Sequence, residues 1–328
     1  MMTLKKKSRI SVILFVVIFG LLLTAATFTD LQVSDILTKH ALERGKYLTS
    51  NPFGASFEAF GSDPVYMLAA FAFAVLFWYV ERNFKAGVLK YICGILTFVC
   101  SVVANYILCS DTFGYILEHA EVLEVKDEMY YTLTLVFFAV LITVPLIFAT
   151  KLIDNETNKK LLSFAFAAIC IVAVANIFIA VIKGPVGRMR YRAMNCEGGQ
   201  KIGGFENFTR WYVINGKNHG YSKEELVAIF GTSDACRSFP SGHTNAAGMS
   251  YAVIMLIDIL DIKDKRKKML IWLIPIVVTG TVAVSRIIVG AHYFSDVLVG
   301  GTTAFVSMII CREIFICKFS HIKAMFSK

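Results

Sequence analysis

Residues 161–182 read LLSFAFAAICIVAVANIFIAVI, a stretch that contains no charged side chain. A helix of about 20 apolar residues is long enough to cross the hydrocarbon core of a membrane. Similar stretches recur along the chain, and 56% of its 328 residues are hydrophobic whereas only 17% are charged. The sequence therefore predicts an all-α, polytopic helical bundle with about eight transmembrane spans. These spans are 10–28, 64–80, 87–108, 130–150, 161–182, 244–260, 269–290 and 296–316.

The basic residues indicate how the bundle is oriented. The strings KKKSR at 5–9 and KDKRKK at 263–268 contribute to a net charge of +9. Lysine and arginine collect in short cytoplasmic loops, so this charge needs no nucleic-acid partner. Placing the N-terminus inside puts the loop 183–243 and the turn near 291–295 outside. The first apolar stretch could also be a cleaved signal peptide, which would leave this topology unchanged. We therefore expect a multi-pass plasma-membrane protein.

The loop 183–243 is the longest polar segment of the sequence, and loops of this length are usually functional or disordered. It is rich in glycine and aromatic residues, which favours a partly ordered cap. Cys196 and Cys236 lie in it and could form a disulfide if the loop faces an oxidising compartment. The sequence leaves this pairing open. No C-x-x-C motif occurs in the chain, which disfavours a zinc or redox site.

A first polar cluster follows the fifth predicted span, in IKGPVGRMRYR at 182–192. Lys183 and Arg190 are two helical turns apart, so a continued helix would place them on one face. Arg188 and Arg192 add further positive charge. The alternative is a basic cap that binds lipid headgroups at the membrane surface.

A second cluster begins the sixth predicted span, in SFPSGHTNAAG at 238–248. Pro240 suits the first turn of a helix. Ser241 and Gly242 would then present backbone N–H groups at a helix N-terminus, which attracts anions. His243 follows at the membrane edge. The alternative is an ordinary helix start with an incidental histidine.

The third cluster is SRIIVGAHYFSD at 285–296, between the last two predicted spans. Arg286 lies near the outer end of the seventh span, and ionisable residues within membranes are functional candidates by default. His292 and Asp296 are one helical turn apart, so the carboxylate could orient the imidazole. The alternative is a salt-bridged turn between two helices.

The predicted topology places all three clusters on the outer face. Fixed cations together with helix N–H groups suit a phosphate dianion and its transfer. We therefore predict that His292 attacks phosphorus, with Asp296 behind it, while His243 protonates the leaving oxygen. Water then hydrolyses the phosphohistidine. We predict no metal and no cofactor, because the surrounding cations would repel Zn²⁺ and no carboxylate cluster offers a Mg²⁺ site.

At these residues the sequence resembles the type 2 phosphatidic acid phosphatase and vanadium haloperoxidase superfamily. The family pattern is Lys, six residues, Arg-Pro, then Pro-Ser-Gly-His, and then Ser-Arg, five residues, His, three residues, Asp. The chain departs from this pattern only at Tyr191, where proline is usual. The resemblance implies catalysis by His243 and His292. It also implies that the phosphate is bound by Lys183, Arg190, Ser241, Gly242 and Arg286.

The resemblance further implies a six-span phosphatase core, which we place at 87–328 including the loop 183–243. Residues 1–86 then hold two extra N-terminal spans and an outside loop. We expect hydrolysis of a lipid phosphate or pyrophosphate at the outer face, with undecaprenyl pyrophosphate, phosphatidic acid and phosphatidylglycerophosphate as candidate substrates. The alternatives are a membrane phosphotransferase that uses the same histidine, and a non-catalytic lipid-phosphate binding or transport protein. The oligomeric state is left open.

Overall fold

The computed structural model describes residues 4–326, with side chains from residue 9 to residue 323, so the side chains of Lys5, Lys6 and Lys7 lie outside it. Within the described part, seven helices are long and apolar enough to cross a membrane, and no β-strand forms. The predicted all-α helical bundle is confirmed. The long helices are α1 (Leu4–Thr38), α3 (Asp63–Asn83), α4 (Val88–His119), α5 (Met129–Lys151), α6 (Asn155–Val186), α12 (Lys265–Ile288) and α13 (Phe294–Phe315). A short helix α2 (Pro52–Ala59) directly precedes α3.

The predicted span 244–260 is not one continuous helix. It consists of α10 (Gly242–Gly248), a 3₁₀ helix (Met249–Met255) and α11 (Leu256–Ile259) in succession. The rises of about 1.5 Å per α-helical and about 2.0 Å per 3₁₀ residue give these elements a length of about 30 Å, enough for a crossing. Of the eight predicted spans, seven therefore correspond to long helices and one, 244–260, to this composite segment. Hydropathy could not show this, because it carries no information on how tightly a backbone winds.

The long loop is ordered and forms a cap at one end of the bundle. It contains α7 (Tyr191–Asn195), α8 (Glu197–Lys201) and α9 (Lys223–Phe230), besides two 3₁₀ turns (Gly204–Asn207 and Lys217–Gly220). Its core buries apolar side chains against the chain that follows α1, among them Leu42. Cys196 and Cys236 are both buried and both carry free thiols, so they form no disulfide in this structure.

A glycine turn brings the first cluster into this cap. α6 ends at Gly187, which has the left-handed backbone φ of 53°. A Cβ at this position would lie 1.8 Å from the carbonyl oxygen of Gly216, so only glycine fits. The chain beyond it forms two backbone hydrogen bonds with the segment before Pro240. The Arg190 amide donates to the Ala235 carbonyl, and the Ser238 amide donates to the Arg188 carbonyl.

Candidate active site

His292 lies in the turn between α12 and α13 and is 2% exposed. Its Nδ1 is 2.6 Å from the carbonyl oxygen of Ser238. A carbonyl oxygen can only accept, so Nδ1 carries the proton and Nε2 keeps a free lone pair. Burial lowers the pKa of His292 to about 3, and the nearby charges of Arg190 and Lys183 add to this effect. The imidazole is therefore neutral at ordinary pH, with Nε2 available for attack.

Asp296 lies behind His292 but orients it partly through other groups. Its Oδ2 is 3.8 Å from His292 Nδ1, and it accepts hydrogen bonds from the Ser238 hydroxyl at 2.5 Å and the Tyr293 amide at 2.9 Å. The serine whose carbonyl holds the imidazole is thus itself held by Asp296. The spacing of His292 and Asp296 predicted their proximity, but nothing in the motif pointed to Ser238 as the connecting residue.

Arg188 is fully buried and balances the charge of Asp296. Its Nη1 donates to Asp296 Oδ1 at 2.6 Å and its Nη2 to Asp30 Oδ2 at 2.9 Å. Its guanidinium carbon lies 4.0 Å from the ring centroid of Tyr293. Asp30 also accepts the backbone amide of Ser295 at 2.8 Å and so helps to start α13. Arg188 is therefore a structural cation in the protein interior, which excludes the lipid-headgroup alternative for this residue.

His243 is the second residue of α10 and faces the same site. Its Nε2 is 3.2 Å from the backbone carbonyl oxygen of Glu58. Its ring packs edge-on against the ring of Tyr115, with 5.3 Å between the two ring centroids. The carbonyl again accepts only, so Nε2 carries the proton and Nδ1 is free to exchange one. Both histidines therefore use one nitrogen to contact a backbone carbonyl and leave the other for chemistry.

Ser241 and Gly242 form the start of α10, as the sequence predicted. The Ser241 hydroxyl caps the helix by accepting from the Thr244 amide, and the Ser241 amide donates to the Asp296 carbonyl at 3.0 Å. The amide and the hydroxyl of Ser241 are thus already engaged. A Cβ on Gly242 would stand 3.5 Å from Lys183 Nζ, so the glycine keeps the space beside this ammonium open. Phosphate binding by Ser241 and Gly242 remains a prediction.

The predicted phosphate-binding cations have free donors. Among the described residues, the Lys183 ammonium has no hydrogen-bond or ion-pair partner. Arg190 donates from Nη2 to Asp234 at 2.6 Å but leaves its buried Nε unpaired. Arg286 donates from Nη2 to Glu58 at 2.6 Å and leaves both Nε and Nη1 buried and unpaired. Buried unpaired donors are costly, and an anion would satisfy these.

Asp234 belongs to the long loop and contacts this cationic group. Burial alone would raise its pKa, but the charges of Arg190, Arg192 and Lys183 together lower it to about 2. A carboxylate that stays ionised beside Arg190 partly neutralises the residue that we predicted to bind phosphate. Sequence reasoning missed Asp234 because the loop around it matches none of the three motifs.

Tyr191 stands where the family pattern has proline, and the structure shows why the backbone tolerates it. It is the first residue of α7, the helical position at which proline is favoured. Arg190 before it is extended, with φ −74° and ψ 150°, as a residue before proline would be. The tyrosine hydroxyl donates to Asp35 Oδ1 at 2.6 Å and ties the cap to α1.

Two cavities open at the site. One of about 650 Å³ has a mostly apolar lining from α3, α4 and α6 and ends at Gly242 and His243. A second, of about 310 Å³, is polar and includes Tyr115, Arg192 and Asp234. Both are lined by Ile107 and Asp111, so they adjoin each other. Together they offer an apolar chamber among the membrane helices beside a polar chamber at the cap.

A comparison with known families agrees with this geometry. The family model described as PAP2 superfamily matches residues 164–316. Over this region the chain is similar to the PAP2 superfamily. The match confirms the resemblance predicted from the three motifs, all of which lie within it. No curated protein and no solved structure matches the chain. Together with the apolar helices, the match supports a membrane phosphatase in general.

Proposed function

We propose that this chain is a metal-independent membrane phosphatase that hydrolyses a lipid phosphate or pyrophosphate through a phosphohistidine at His292. The observation that carries the proposal is the hydrogen bond from His292 Nδ1 to the Ser238 carbonyl, because it leaves Nε2 unprotonated. Unpaired N–H groups of Arg190 and Arg286 supply the complementary charge for phosphate.

In the first step, His292 Nε2 attacks phosphorus and the bond from phosphorus to the leaving oxygen breaks. His243, in its protonated form, donates the Nδ1 proton to this oxygen while Nε2 stays on the Glu58 carbonyl. Lys183, Arg190 and Arg286 stabilise the charge on the non-bridging oxygens. This order requires the substrate to lie between the free nitrogens of the two histidines.

In the second step, a water molecule attacks the phosphohistidine and the phosphorus–nitrogen bond breaks. His243 Nδ1, now unprotonated, accepts the proton of this water. Phosphate leaves, and both histidines return to the states in which they began. His243 thus alternates between acid and base, whereas His292 remains the nucleophile.

The donor set around the site supports chemistry without a metal. Its carboxylates are already bound to arginines, as Asp296 is to Arg188 and Glu58 is to Arg286. Among the described residues, the cluster with metal-type ligands is Glu313, Cys317 and His321, at the far end of α13 from Asp296. We therefore assign charge stabilisation to the cations.

The apolar cavity supports a lipid substrate. Its lining comes from helices that are apolar enough to lie in a membrane, and it ends at the proposed acid His243. An acyl or prenyl chain placed there would bring its phosphate to the cations. The basic residues 265–268 begin α12 and Arg286 lies in its last turn, so the positive-inside rule favours a site on the outer face. We propose that the membrane is the plasma membrane.

The proposal is tested by assaying purified protein on a panel of lipid phosphates and pyrophosphates. We expect phosphate release from at least one, and a loss of about 10³-fold or more in His292→Ala. Equal release by wild type and this variant would refute the nucleophile. A phosphorylated acceptor in place of free phosphate would instead identify a phosphotransferase. No product from any member of the panel would favour binding or transport.

Inhibitors test the chemistry of the pocket. Orthovanadate should inhibit, since it adopts the five-coordinate geometry of the phosphoryl transition state. EDTA should leave activity unchanged, because the charge is supplied by arginine and lysine. Complete loss on chelation, reversed by adding a divalent cation, would refute the metal-independent mechanism.

A further inference from the structure

Glu58 brings a negative charge into the cationic site from outside the family-matched region. It belongs to α2, and the residue is 1% exposed. Its Oε1 accepts from Arg286 Nη2 at 2.6 Å and from Arg192 Nη1 at 3.0 Å, and its Oε2 is 3.2 Å from His119 Nε2. Its backbone carbonyl accepts from His243 at 3.2 Å. One residue therefore contacts both a predicted phosphate ligand and the proposed acid.

The position of Glu58 is fixed by how α2 packs. Asn51 caps the helix by accepting the Gly54 amide at 2.9 Å, and Pro52 occupies its first turn. A Cβ on Gly54 would lie 2.4 Å from the side chain of Val289, so α2 is pressed against the end of α12. α12 also carries Arg286. The carboxylate and the guanidinium are thus held by two elements in direct contact.

The hydrogen bond to Glu58 uses one of the three donor nitrogens of Arg286. Its other two, Nε and Nη1, are buried and unpaired. A guanidinium is planar, so holding Nη2 fixes the direction in which Nε and Nη1 point. The unpaired edge is thus available to a phosphate, whereas a freely rotating side chain would present it only part of the time.

The charge of Glu58 also limits how tightly the site holds an anion. The buried or half-buried cations of the site are Lys183, Arg188, Arg190, Arg192 and Arg286. The carboxylates bound to them are Asp30, Glu58, Asp234 and Asp296. Removing one of these charges would leave the cations in larger excess. Product phosphate would then bind more tightly and leave more slowly.

We propose that Glu58 is a positioning residue of the phosphate site, acting through Arg286 and His243, and that its charge keeps phosphate release fast. Its catalytic part rests on the proposed function, but its effect on anion affinity does not. The N-terminal helices thereby complete the site that the three motifs begin.

The test compares Glu58→Gln with wild type in kcat and in the Kd of inorganic phosphate and orthovanadate, measured by calorimetry on the full-length protein. We expect kcat to fall about tenfold or more and both anions to bind about tenfold more tightly. A merely structural defect would weaken anion binding together with kcat. Unchanged kcat and Kd, or weaker anion binding, would overturn the proposal.

Two further variants control the result. Glu43→Gln makes the same change on an exposed glutamate of the N-terminal region that forms an ion pair with Lys46, and should match wild type in both measurements. Glu58→Asp keeps the charge but shortens the reach to Arg286, so it should restore wild-type anion affinity while kcat stays low. If Glu58→Gln does not fold, Glu58→Asp decides, and wild-type kcat in it would overturn the positioning role.

The calorimetric measurement separates this inference from the proposed function. If wild-type protein released phosphate from no lipid, the proposed function would fail. Tighter binding of phosphate by Glu58→Gln than by wild type would still support the effect of the Glu58 charge.

Discussion

The region 164–316 and the region before it contribute to the site in different ways. The first carries the three motifs and the family match, whereas the second carries no motif. Yet three buried arginines of the matched region bind carboxylates of the other: Arg188 binds Asp30, and Arg192 and Arg286 both bind Glu58. The difference shows that spaced motifs point to the side chains that we propose meet the substrate, while the groups that hold them can come from any part of the chain.

The strongest test of this comparison divides the chain at the turn between α3 and α4. We expect residues 87–328 alone, the predicted phosphatase core, to have no activity, because Asp30 and Glu58 are missing. Co-expression with residues 1–86 should restore phosphate release, since α3 packs along α4 and α6. Activity of the fragment 87–328 alone at the full-length level would show that the N-terminal carboxylates are dispensable.

The two carboxylates on Arg188 allow a matched comparison. Asp296→Asn should lower kcat about 10²- to 10⁴-fold, because it weakens the hold on Ser238 and His292. Asp30→Asn should chiefly lower the free energy of unfolding, by about 1–3 kcal/mol, since it leaves Arg188 and the start of α13 less well paired. Enzyme kinetics and thermal unfolding in detergent distinguish these effects.

The control for this pair is Asp258→Asn. It breaks the ion pair with Arg312 and does not touch either motif histidine, so kcat should stay at the wild-type value. Equal effects of Asp296→Asn and Asp30→Asn on kcat would contradict the hypothesis that Asp296 acts on the catalytic histidine whereas Asp30 chiefly stabilises the fold.

His292 should keep its neutral form far below ordinary histidine pKa values. With a pKa of about 3, its imidazole stays neutral as the pH falls from 8 to 5. It becomes the imidazolium only near pH 3, when Nε2 is protonated and can no longer attack. Nitrogen-15 NMR of labelled histidine should show Nδ1–H and an unprotonated Nε2 at pH 5, with the exposed His40 as internal reference. An imidazolium form of His292 at pH 5, with both ring nitrogens protonated, would contradict the neutral Nδ1–H tautomer.

The smallest effect is expected at the motif departure. Tyr191→Phe removes the hydrogen bond to Asp35 and should cost about 1–3 kcal/mol of unfolding free energy with little change in kcat. Tyr191→Pro should likewise retain kcat, because the position suits proline. A large fall in kcat for Tyr191→Pro, measured beside Tyr191→Phe, would show that Arg190 depends on the tyrosine backbone amide.

The sequence predicted the helical bundle and the groups of the site because both leave periodic or spaced signals. Apolar runs of membrane length predict spans whatever they pack against, and the spacing from Arg286 to His292 and Asp296 fits one turn followed by one helix. Asp30 and Glu58 offered a weaker signal, since ionisable groups in or beside apolar helices are functional candidates. That signal could not name their partners.

Only the tertiary structure decided which groups meet. The carbonyls of Ser238 and Glu58 set the free nitrogens of the two histidines, and a backbone carbonyl has no signature in a sequence. Asp30 reaches Arg188 across more than 150 positions of the chain, so local spacing could not reveal the pair. The winding of 242–259 likewise depends on packing. The sequence by itself therefore determined the bundle and pointed to the side chains that we propose react, and the fold determined their orientation, protonation and charge balance.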